Sequence, residues 1–150
     1  MVNIVREFVV PCPQDAAIAY LADFANAVEW DPGTVTCVRN GDASAPVAPG
    51  ASWTNVSKFL GRETTLTYEL TTLDADRVVL DGTNKTADSR DDLSVTRLDD
   101  ATSRIRYEAT ITFKGVARFA DPLMGLVFRG IADETEKDMT TALTRVGATA

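Results

Sequence analysis

Histidine is absent from this 150-residue chain, and cysteine occurs only as Cys12 and Cys37. Without histidine, and without a CxxC pair, no zinc set can be assembled, so neither a metal nor a cofactor is expected. Each thiol reads as a reduced interior group, not as half of a disulfide. No stretch approaches the roughly 20 apolar residues of a membrane span. The opening MVNIVREFVV carries a charged pair where a secretory signal needs an unbroken apolar region, so the expected location is cytoplasmic. Basic residues are outnumbered 22 to 15, leaving a net charge of −7. That balance repels phosphate backbones and anionic lipid surfaces, which argues against a nucleic-acid partner. Repeats, low-complexity tracts and interdomain linkers are also missing; GDASAPVAPG is short enough to be one surface loop. One domain over residues 1–150 is expected, and the sequence leaves the oligomeric state open.

What is present is β-type alternation framed by helical spacing. VNIVREFVV has the β-branched and aromatic bias of a buried or half-buried strand. PCPQDAAIAYLADFANAVEW then changes period: Pro13 and Asp15 suit a first helical turn, and Ile18, Leu21 and Ala22 recur at helical spacing. Asp23 is placed to cap a second short helix from Phe24, which Pro32-Gly33 ends. Six strands are expected next, near 34–40, 51–59, 62–73, 76–83, 90–98 and 103–114. Turn signals separate them, among them Asn40-Gly41, Gly61, Asp74-Ala75-Asp76 and Asp99-Asp100, and sequential strands joined this way form an antiparallel meander. ADPLMGLVFRGIADETEKDMTTALTRVGA closes the chain as a long helix, with Asp121 as N-cap and Pro122 at the first helical position. Its early turns are apolar almost all round, whereas later turns keep a stripe of Met139, Ala142, Leu143 and Val146. The expected fold class is α+β: a seven-stranded curved antiparallel sheet around that helix, with two short helices between the first and second strands.

Residue parity shows what the sheet turns toward the helix. In RIRYEATITFK the inward set is Ile105, Tyr107, Ala109, Ile111 and Phe113. In ASWTNVSKFL, Lys58 assigns its own parity to solvent, which leaves Trp53, Asn55, Ser57 and Phe59 inside. A buried amide or hydroxyl without a partner costs on the order of 1–3 kcal/mol. Asn55 and Ser57 therefore suggest a space holding water or a polar-tipped ligand, with Ala109 and Gly82 small enough to leave room. Leu66, Tyr68 and Leu70 share one parity, and Tyr68 and Tyr107 add phenols to an otherwise apolar wall, the usual make-up of a small-molecule pocket. The bland alternative is a filled core whose polar tips reach water at the sheet's open end. Trp30, beside Asp31-Pro32-Gly33 and facing the same opening as Phe24, reads as a residue closing the pocket mouth.

The stretches AYLADFANAVEWDPGT, VSKFLGRETTLTYEL, SRIRYEATITFKG and ADPLMGLVFRGIADETEKDM resemble, in that order and over essentially the whole chain, the START-like polyketide-cyclase/dehydrase superfamily (SRPBCC). The resemblance implies a helix-grip fold around a deep apolar cavity. It further implies binding of a lipid, isoprenoid, polyketide or other aromatic compound between sheet and helix. The expected ligand-binding residues are Phe24, Trp30, Trp53, Asn55, Ser57, Phe59, Leu66, Tyr68, Leu80, Tyr107, Ala109, Ile111, Met124, Val127, Phe128 and Ile131.

No catalytic residue is assigned from the sequence. Asp23 and Asp31 are explained by cap and turn positions, Asp81 by the outward parity of its strand, and Arg62 by a solvated turn. The run Asp88-Ser89-Arg90-Asp91-Asp92 reads as a solvated surface loop. The leading expectation is a noncatalytic carrier or sensor of a hydrophobic small molecule. One alternative is a cyclase- or dehydrase-type enzyme using Tyr68, Tyr107 or Asn55 as donors to a developing enolate. Another is a protein-interaction module acting through its acidic surface or the 42–50 loop.

Overall fold

In the computed structural model the backbone of residues 1–150 is described, together with every side chain outside 120–122. The expected cap at Asp121 and Pro122 therefore lies outside the described residues. β1 (Val2–Val10) leads into α1 (Gln14–Ala22), a 3-10 turn (Phe24–Asn26) and α2 (Ala27–Trp30). The meander follows as β2 (Thr34–Arg39), β3 (Ser52–Phe59), β4 (Arg62–Leu73), β5 (Arg77–Thr83), β6 (Ala87–Asp99) and β7 (Thr102–Phe113). A second 3-10 segment (Gly115–Ala120) precedes α3 (Asp121–Thr149). The strands form one curved antiparallel sheet in the order β1-β7-β6-β5-β4-β3-β2, so the first strand closes against the last. This is the helix-grip fold.

Local chemistry explains the elements. Asp23 ends α1 and accepts a hydrogen bond from the Ala25 amide, capping the 3-10 turn as its position suggested. The β3–β4 hairpin turns on Leu60 and Gly61, both in the left-handed region (φ 49° and 76°). Two successive positive φ angles match the right-handed twist of the flanking strands. Glycine takes such an angle freely, whereas an exposed leucine there is strained. Gly82 serves a different need: a Cβ on it would stand 2.6 Å from the Tyr68 ring, which lies across the opposite residue of β4.

One sequence reading is overturned in β6. The strand begins at Ala87, three residues before the expected 90, so the supposed loop at 88–92 is ladder, paired with β5 on one side and β7 on the other. Arg90 and Asp92 keep its outer face polar by pairing with Asp81 and Arg77. Ala87, Asp91, Leu93 and Val95 are buried on the inner face, with Ser89 half-buried in the same parity.

Candidate functional site: a cavity at the open end of the grip

The inner face has two unlike halves. At one end α1, the 3-10 turn and α2 are inserted between sheet and helix, and Phe24, Trp30, Trp53, Leu70, Leu80, Leu93, Met139 and Leu143 pack there with almost no exposure. At the other end no such insert exists. A small cluster of Val2, Ile4 and Ala132 is buried there, flanked by Ile111, Phe113, Met124 and Phe128. A cavity of about 480 Å³ opens between this half of α3 and the sheet. Its size falls within the usual range for small-molecule pockets.

An aromatic cluster forms the floor. Phe24 lies 4.4 Å from Tyr68 and edge-on to Trp30 and Trp53, and Trp30 stands edge-on to Tyr107 at 6.0 Å. Of these rings only Tyr68 and Tyr107 reach the cavity. The walls are Ile4, Leu66, Ala109, Ile111, Phe113 and, from α3, Met124, Phe128, Ile131, Ala132 and Thr135. Phe59 and Phe128 stack at 4.8 Å, bridging sheet and helix near the rim, where Lys58, Leu60 and Arg62 are exposed.

Among the described residues, two carboxyl groups line this space. Asp91, 6% exposed, accepts a hydrogen bond from the Tyr107 hydroxyl at 2.6 Å. Burial drives its pKa up from 3.8 to about 7; the tyrosine bond opposes that shift, and the charges of Asp31 and Asp81 add to it. Asp31 is raised as well, again chiefly by burial. Both phenols are held far above their ordinary range by burial, with the Asp91 charge next in importance. A carboxyl that titrates near neutrality inside an apolar wall can give or take a proton at physiological pH.

Asp31 also ends a relay. Ser57 donates to Asn55 (2.6 Å), Asn55 to Thr34 (3.0 Å), and Thr34 to Asp31 (2.7 Å), while the Gly33 amide donates to the same carboxylate. The inward amide that suggested a wet pocket is therefore satisfied by protein. Asn55 is buried and does not line the cavity, although Ser57 at the head of the relay does.

Among the expected ligand-binding residues, Ser57, Phe59, Leu66, Tyr68, Tyr107, Ala109, Ile111, Met124, Phe128 and Ile131 lie together on the cavity wall. Phe24, Trp53 and Leu80 belong to the packed half instead. Trp30 does not close the mouth: it is 1% exposed and backs the floor behind Tyr107. Val127 is half-buried but absent from the lining. The sequence reading missed Asp91, Ser89, Asp31 and Thr135. For the first two a signal existed, because the parity of Leu93 and Val95 carried two steps back lands on Asp91 and Ser89.

Cys12 and Cys37 are free and buried outside the cavity lining, and burial raises both thiols, that of Cys37 to about 11. Among the described residues no group of three His, Cys, Asp or Glu side chains could hold a metal ion. No helix among them is long and apolar enough to cross a membrane.

Solved structures share the fold at low identity. A START superfamily protein from Mycobacterium smegmatis superposes with a TM-score of 0.76 at 9% identity, covering 96% of this chain and 98% of that one. The Zhui aromatase/cyclase from Streptomyces sp. R1128 gives 0.73 at 10% identity, covering 97% and 93%. A protein from Thermobifida fusca gives 0.65 at 21% identity, covering 97% and 95%. No curated protein matches the chain. Residues 1–147 match the family described as polyketide cyclase/dehydrase and lipid transport, and the chain belongs to that family.

Proposed function

We propose that this protein binds a hydrophobic small molecule between its sheet and the first half of α3. The observation that carries this reading is the cavity of about 480 Å³, walled by aliphatic and aromatic side chains and reached through an exposed rim. Lipids, isoprenoids, polyketides and other aromatic compounds suit that lining, and the family description supports the polyketide and lipid classes among them. Titration with a hydrophobic fluorophore, alongside native mass spectrometry of the purified protein, tests the reading. Saturable one-to-one uptake is expected. It should weaken at least about tenfold in Ala109→Trp, whose indole would fill the middle of the wall while circular dichroism stays unchanged. Absence of uptake for every apolar compound tried would sink the proposal.

The Asp91–Tyr107 pair favours a second reading, an enzyme of the cyclase or dehydrase type in which this pair moves a proton on a bound carbonyl compound. Turnover of a polyketide-like substrate that survived Asp91→Asn would remove it.

A further inference from the structure

Asp91 engages only one of its two carboxyl oxygens. Oδ1 takes the Tyr107 hydroxyl, and among the described residues no donor reaches Oδ2. Nor does a cation answer it. Its strand neighbours Arg90 and Asp92 lie on the opposite face, where Arg90 is engaged by Asp81 and Arg77 by Asp92. The titratable groups on its own face are Tyr107 from β7, Tyr68 from β4 and Asp31 from the turn before β2, while the charge of Asp81 acts on it through the sheet from the outer face. From α3 the wall residue at this depth is Thr135, whose hydroxyl is spent on the Ile131 carbonyl. Tyr107 gives its single proton to Asp91 and so presents only lone pairs to the cavity. The deep end therefore presents the free Asp91 oxygen and the Tyr107 lone pairs beside the hydroxyls of Tyr68 and Ser89, and no cation. The basic side chains of the lining, Lys58 and Arg62, stand at the exposed rim. A buried carboxyl with an unused oxygen is satisfied by a donor, and an ionised one by a cation.

We propose that the Asp91–Tyr107 pair is a recognition site for a hydrogen-bond donor. The cavity then takes an apolar molecule that enters with an alcohol, phenol or protonated amine leading, and disfavours one whose buried end is anionic. This inference rests on the cavity being a binding site and adds the polarity of its deep end.

Three ligands sharing one ring system separate the possibilities: 2-naphthol, 2-naphthylmethylamine and naphthalene-2-sulfonate, titrated into the full chain by calorimetry at about pH 8, where Asp91 is largely ionised. The naphthol and the amine are expected to bind at least about tenfold more tightly than the sulfonate, the range a hydrogen bond to a charged group commands. Asp91→Asn should bring amine and sulfonate within about threefold of each other. The wild-type protein supplies an independent check: its amine preference should shrink as the pH is lowered below about 6 and Asp91 takes up its proton. Equal affinities for all three, or a preference untouched by Asp91→Asn and by pH, would overturn the donor site and leave the binding cavity standing. Failure of every naphthalene compound to bind would overturn both.

Discussion

The two ends of the grip use the same sheet and the same helix, yet one is solid and the other hollow. The difference lies in residues 14–30, whose short helices push Phe24 and Trp30 between sheet and helix on one side only. Where that wedge is present, Trp53, Leu93, Met139 and Leu143 close around it without exposure. Where it is absent, α3 stands off and its residues from Met124 to Thr135 become a wall. Dense packing and open space thus occupy separate halves of one interior, meeting at the Tyr68 and Tyr107 rings, which are core on one side and cavity floor on the other.

The sharpest way to break that division is to hollow the solid end. Trp53→Ala removes a fully buried indole that touches Phe24 edge-on and lies beneath the Arg39 guanidinium. A loss of about 3–5 kcal/mol is expected, measured by urea denaturation. A loss under about 1 kcal/mol would show that the wedge is not the stabilising half.

The next effect is one of pH at the boundary. Asp91 titrates near 7 when folded against 3.8 ordinarily, so between those values the native state holds a proton that the unfolded chain has released. Stability contributed by that proton is complete below the lower value and is lost as pH rises through the upper one, on the order of 4 kcal/mol in all. Asp31 acts in the same direction. Urea midpoints should fall between about pH 4.5 and about pH 8 in the wild type and fall much less in Asp91→Asn. Parallel curves for the two proteins would contradict the assignment of a buried, proton-holding carboxyl.

The smallest effect belongs to the hollow end. Phe128 is half-buried and stacks on Phe59 with an interplanar angle of 9°. Phe128→Ala should cost about 1 kcal/mol by the same denaturation assay, while ligand release, followed by stopped-flow fluorescence, becomes faster. A cost rivalling that of Trp53→Ala would erase the contrast between the ends.

The fold was legible because alternation and turn chemistry agree at nearly every boundary from Thr34 to Phe113. The cavity wall was half legible. Parity located Ser57, Leu66, Tyr68, Tyr107 and Ala109 on the inner face, but parity specifies a side of the sheet and not a position along it. Trp53 and Leu80 point inward as truly as Leu66 does; only the tertiary placement of the wedge decides which of them meet protein. Asp91 was lost for another reason. Asp-Ser-Arg-Asp-Asp has the composition of a loop, and composition outweighed the two apolar residues downstream whose phase would have turned it inward. The Trp30 reading erred similarly, since a neighbouring turn describes the path of the chain and not the direction of the ring.

The last turn of α3 carries one more constraint. A Cβ at Gly147 would lie 2.0 Å from the Pro11 carbonyl oxygen and 3.0 Å from the Cys12 Cα, so the helix end sits directly on the backbone leaving β1. Backbone cannot swing aside as a side chain can, and the contact works as a clamp. Even one methyl group added at 147 would push the last turn of α3 off the backbone that leaves β1, so the seat of the whole helix depends on a side chain that is not there.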